Sequence, residues 1–85
     1  MVYYKSYFKY ISPITNEISS GYVYAMCQKD DPVAIHAYFK VANEGSISWA
    51  ITEITETEFK KGPLKHENHL IVYLNKNFKE KIFNG

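Results

Sequence analysis

The segment His66-Glu67-Asn68-His69 sets two imidazoles three residues apart, a spacing from which one turn could offer both to a metal ion. A structural zinc site needs about four protein ligands. The further donors of suitable type, His36, Glu67 and Cys27, come from separate segments or from the turn itself. The two histidines therefore read as surface residues, with no metal implied. Cys27 is the only cysteine. It could serve as a nucleophile beside a histidine, but it shares a strand face with Val23 and Ala25, which marks a buried, inert thiol. The four glycines are scattered, so no loop can cradle a phosphate. Glu53, Glu56 and Glu58 straddle a strand end and a helix start, where capping and solvation account for them. No catalytic, cofactor-binding or metal-binding set emerges, and the chain is not expected to be an enzyme.

The aromatic residues are more informative. Eight Tyr, five Phe and one Trp make up 16% of the chain, more rings than one small core is expected to hold. Tyr3, Lys5, Tyr7 and Lys9 alternate along one face of the first segment, and Tyr22 and Tyr24 share a face of the second. Rings of this kind dominate protein interfaces, so these six residues are the candidate partner-binding set. On this reading, Tyr7→Ala or Tyr22→Ala weakens binding more than stability. The alternative is a platform for single-stranded nucleic acid, with rings stacking on bases beside cations for phosphates. A net charge of +1 and the absence of Arg count against it. The charge is segregated: residues 1–29 carry +2, 30–58 carry −5 and 59–85 carry +4. Such segregation suits the orientation of a protein partner. A two-fold homodimer formed through the Tyr-rich strand is a variant of the same reading.

These residues must be positioned by elements that the pattern also sets out. Residues 3–11 read as a strand with Tyr4, Phe8 and Tyr10 on the face opposite the lysines. Pro13 and Asn16 mark a turn, and residues 18–28 form the returning strand of a hairpin. Its Gly21, Val23, Ala25 and Cys27 face is small, as expected beneath a helix. Asp30-Asp31-Pro32 starts that helix, with Asp31 as cap and Pro32 in the first turn. Ala34, Ala37, Tyr38, Val41 and Ala42 give it an apolar stripe, widened by Ile35 and Phe39, and Gly45 caps its end. Residues 47–54 form a third strand. Thr55 and Glu58 have capping-box spacing for a short helix over Glu56–Lys61. His69–Leu74 is a fourth strand, and residues 76–85 form a short terminal helix or a frayed tail.

The expected fold is therefore α+β: a two-layer β-β-α-β-(short α)-β domain spanning 1–85. It carries an antiparallel or mixed four-stranded sheet with one main helix on one face. Eighty-five residues with 46% hydrophobic and 22% charged side chains suit one folded domain. No apolar run reaches the roughly 20 residues that cross a bilayer, so no membrane partner is expected. The start, Met1-Val2-Tyr3-Tyr4-Lys5, lacks the order of a secretory signal, and one cysteine suits a reducing compartment. A cytoplasmic location is the expectation.

Gly21-Tyr22-Val23-Tyr24-Ala25, the acidic entry Asp30-Asp31-Pro32, and Trp49 through Phe59 with its Ile-Thr-x-x-Glu phrase resemble small uncharacterised proteins of phages and mobile elements. The resemblance spans residues 21–59 and rests on structural positions. It implies a protein that binds and disables a host factor, such as a defence nuclease, in the manner of anti-CRISPR proteins. In a phage-encoded case the site of action is the host cytoplasm.

Overall fold

The alternating rings of the N-terminal segment extend it into β1, Val2–Ile11, which turns back into β2, Ile18–Cys27. A computed structural model describes the backbone of residues 1–28 and 30–83, and the side chains among them through Lys79. The hairpin pairs antiparallel from Val2↔Cys27 to Ile11↔Ile18. Asn16 takes φ 58° in its turn, the left-handed geometry that asparagine tolerates.

Helix α1 covers Pro32–Ala42 and starts where expected, with the Asp31 carboxylate accepting from the Ala34 N–H at 3.2 Å. Gly45 beyond its end has φ 89°, a conformation that costs glycine little. Strand β3 (Ser48–Ile54), helix α2 (Glu56–Lys61), a 3-10 turn (Pro63–Lys65) and β4 (His69–Leu74) follow. Thr55 caps α2 by accepting from Glu58 N–H at 3.2 Å. The reciprocal half of the expected capping box is replaced, because the Glu58 carboxylate turns to Lys5.

The strand order is β3-β1-β2-β4-β5, with the β2–β4 pair parallel and the others antiparallel. This is the expected α+β fold with a mixed sheet and one main helix, extended by one strand. That addition, β5 (Glu80–Phe83), comes from the segment expected to be a helix or a frayed tail. Its backbone pairs with β4 through a tight turn in which Asn75 Oδ1 accepts from the N–H groups of Asn77 and Lys79 at 2.9 and 3.1 Å. Asn84 and Gly85, also part of that expectation, lie outside the described residues.

Register divides the side chains cleanly. Tyr4, Ala25, Val72 and their in-line neighbours face α1, whose Ile35 and Phe39 complete the main core with Cys27 and Leu74. The helix is turned from its expected orientation: Val41 is 71% exposed and Ala37 and Ala42 are exposed, while Ile35 and Phe39 are buried. Burial free energy scales with apolar area, so a ring and a branched chain outcompete alanines for the sheet. Near the end of α1, the buried Asn43 Nδ2 donates to the buried Ser6 Oγ at 3.0 Å, pairing two polar groups that burial would otherwise penalise.

The opposite face holds Lys5, Tyr22 and Tyr24, and there α2 crosses with the 3-10 turn. The chain thus steps from β2 to β3 over one face and from β3 to β4 back over the other. Opposite directions on opposite faces give both crossovers the same hand.

Candidate functional site: a covered tyrosine face and a projecting hairpin tip

The six residues of the expected binding set do share one face of the sheet, since Tyr3, Lys5, Tyr7 and Lys9 alternate along β1 and pair with the even residues of β2. Most of that face is already occupied. Tyr3 packs on Phe59 of α2 with ring centroids 5.0 Å apart. Lys5 Nζ donates to Glu58 Oε1 at 3.0 Å, a bond that raises the lysine above its ordinary range. Tyr22 stacks nearly parallel on the His66 imidazole at 3.7 Å, and its other side meets Tyr7 at 5.1 Å. Tyr24 is 1% exposed, and burial drives its hydroxyl upward in pKa. As the chain folds, then, Tyr24 is a core residue and cannot meet a partner. Lys9 alone of the six is exposed. All eight tyrosines are at least partly covered: Tyr4 and Tyr24 are buried and the other six half-buried.

Gly62 is what lets the cover sit so close. A Cβ at that position would stand 2.7 Å from both the Cε1 and the hydroxyl of Tyr24, and 2.6 Å from the Glu58 carbonyl oxygen. Gly62→Ala must therefore lift the α2 segment or tilt the tyrosine. The expected loss is about 1–3 kcal/mol in denaturant unfolding, the usual cost of forcing atoms into a packed site. An unchanged midpoint would show that the cover rides loosely.

The remaining chemical candidates are engaged structurally. Cys27 is fully buried, and burial together with the nearby Asp30 charge pushes its thiol up to about 11, far from nucleophilic use. His69 Nδ1 donates to the His66 carbonyl at 2.7 Å, while the His66 ring lies on Tyr22, so the two imidazoles have separate tasks. Among the described residues no cluster of three or more His, Cys, Asp or Glu is placed to hold a metal ion. Tyr4, beneath α1, has its hydroxyl 3.4 Å from Asp30 Oδ1 and 3.5 Å from Glu53 Oε1. Burial, then those two acids, raise it to about 12. Two open grooves of about 470 and 490 Å³ flank α1. The first is lined by Ala34, Ala37, Tyr38, Val41, Ala42 and Phe78; the polar lining of the second comes chiefly from Asn43, Ser46, Asn68 and His69.

What the ring count passes over is aliphatic. Ile11, Ile14 and Ile18 are 56%, 92% and 69% exposed. Ile11 and Ile18 face each other at the last pair of the hairpin, and Ile14 sits in the turn between. Because β3 reaches only from Tyr3 to Lys9, and β4 only from Tyr22 to Cys27, the end of the hairpin projects as a two-stranded ribbon. Ten-residue strands are about 33 Å long, which sets the 37 Å long axis of the molecule. The tip is braced. Ser12 N–H donates to the Glu17 carbonyl at 2.9 Å, and Asn16 N–H to the Ser12 carbonyl at 2.8 Å. Ser12 Oγ lies 3.3 and 3.4 Å from the N–H groups of Ile14 and Thr15. At the base, Asn68 Nδ2 donates to the Tyr10 hydroxyl and to the Ser20 carbonyl at 2.9 and 3.0 Å. Between Lys9 and Lys29 the sole charged residue is Glu17. The readable signal was an isoleucine inside a Pro/Asn turn, with two more at the strand ends.

No protein family, characterised protein or solved structure matches the chain. No helix is long and apolar enough to cross a membrane, among the described residues.

Proposed function

We propose that this chain is a non-catalytic protein-binding module, one that acts by occupying a site on a host protein, and that the isoleucine tip is its gripping element. One observation carries the reading: three exposed isoleucines at the end of a braced, projecting ribbon. Single exposed aliphatics are ordinary, but three gathered on one projection form the kind of apolar patch that marks an interaction site. A braced tip also loses little freedom on docking, which favours affinity. The fitting partner offers an apolar pocket or cleft. The proposed target class is a host factor, including a defence protein, which is what the resemblance of residues 21–59 to small phage and mobile-element proteins would imply. The tyrosine–lysine face gives the nucleic-acid alternative less support, because α2 and His66 already take the stacking positions.

The test compares tagged wild-type protein with the triple variant Ile11→Ser, Ile14→Ser, Ile18→Ser in host extract, by quantitative mass spectrometry. Substitutions at exposed sites leave stability within about 0.5 kcal/mol each. Burying an isoleucine is worth about 1.5–3 kcal/mol, so a partner that covers the tip should bind the variant at least about 100-fold more weakly. Identical capture profiles from equally stable proteins would refute the assignment.

A further inference from the structure

We propose that β3 is a self-complementary edge through which two copies of this chain pair antiparallel about a two-fold axis, giving a continuous ten-stranded sheet. The Tyr-rich strand cannot do this, because β1 lies between β3 and β2. The two outer strands are β3 and β5, and they differ. The β5 edge has only four residues, too short a ladder for a stable pairing. The β3 edge has seven, Ser48 to Ile54, with neither Lys nor Pro and with its one charge, Glu53, near an end. Ser48, Ala50, Thr52 and Glu53 are exposed. An edge of this length without guarding residues is the template that proteins either protect or use.

A two-fold axis perpendicular to the sheet keeps both α1 helices on the same side and requires residues of like facing to oppose one another. Centring it on Ile51 is the register that uses all seven residues. Ile51 then meets Ile51, Ala50 meets Thr52, Trp49 meets Glu53 and Ser48 meets Ile54. Branched and aromatic cross-strand pairs favour such a ladder, and no like charges face each other. Electrostatics agree along its length. Lys9 is in register with Ser48 at one end, while Glu53 and Glu56 lie at the other. The two-fold brings the basic end of each copy to the acidic end of the other, which orients the pairing. An isologous contact of this kind closes after two copies and does not propagate.

Trp49, the only tryptophan, lies on the edge strand beside His36 at 5.3 Å and reports the pairing directly. Sedimentation of the full chain across micromolar to about millimolar concentration should move its mass from 9.9 kDa toward twice that value, with a parallel shift of Trp49 emission to the blue. The variant Ala50→Lys, Thr52→Lys sets lysines opposite one another twice and should stay at monomer mass with wild-type circular dichroism. Mixing it with Ala50→Glu, Thr52→Glu should restore the doubled mass as a heterodimer. A wild-type chain that remains monomeric at the highest concentration overturns the proposal, as does a double-lysine variant that dimerises like wild type. Neither result bears on the isoleucine tip, whose test reads capture of another protein.

Discussion

Tyr24→Ala is expected to cost about 3–5 kcal/mol of folding stability, as truncation of fully buried aromatic residues does. The ring is 1% exposed and is pressed beneath Gly62. Removing it takes away the floor on which α2 and the 3-10 turn rest, and with it the seat of His66, whose ring centroid lies 6.3 Å away. An 85-residue domain carries a margin of about 4–13 kcal/mol, so the variant should sit near the edge of folding. At the roughly 4–8 °C per kcal/mol typical of this size, the thermal midpoint should fall by about 12–40 °C. Lys9→Ala, on the same face but exposed, should change stability by less than about 0.5 kcal/mol. The pair separates two views of the tyrosine face. If Tyr24→Ala kept its midpoint and instead lost a binding partner, the ring would belong to an interface and α2 would have to open in solution.

Local chemistry decides which parts of this fold are legible in the sequence. The hairpin, the entry to α1 and the Thr55 cap were legible because each rests on local chemistry: alternation, a Pro/Asn turn, an oxygen three residues before an orphan N–H. The six tyrosine and lysine residues were correctly assigned to common strand faces for the same reason. What covers them was not legible, since the path of α2 over β1 and β2 follows from placing β3 at one edge and β4 beyond β2, a non-local choice. The rotation of α1 escaped because its alanines and valines recur at helical spacing as regularly as Ile35 and Phe39 do, and only the area available against the sheet separates them. Strand β5 escaped because its turn holds Phe78 at φ 57°, a position where glycine or asparagine would have announced the reversal. Phe78 accepts that strained backbone while packing partly against the core, so packing replaces the usual turn residue.

Raising the pH from about 9 to about 12 should destabilise the protein progressively, and two groups beneath α1 account for much of the slope. Cys27 ionises at about 11 in the fold against an ordinary 9.0, and Tyr4 at about 12 against 10.0. In both the folded value lies above the unfolded one, so the native state holds the proton more tightly. Their contribution is complete below the unfolded values and disappears as pH climbs through the folded ones. Cys27 is fully buried, whereas the Tyr4 hydroxyl ends beside Asp30 and Glu53, both exposed, so solvent screening discounts the Tyr4 share. A two-unit gap is worth at most about 3 kcal/mol per group, and less for Tyr4, so the two together remove a sizeable part of a margin of about 4–13 kcal/mol. Tyr24 and Lys5, both raised, add losses of the same sign. Urea midpoints should accordingly hold level to about pH 9 and then fall steadily to about pH 12. Tyr4→Phe should flatten the decline between pH 10 and 12, and Cys27→Ala that between pH 9 and 11, each judged by slope so that packing losses cancel. Asp30 acts on both groups by charge, after burial, so Asp30→Asn should move both windows downward together. Three parallel curves for wild type, Tyr4→Phe and Cys27→Ala would mean that neither group is held in the dry core beneath α1.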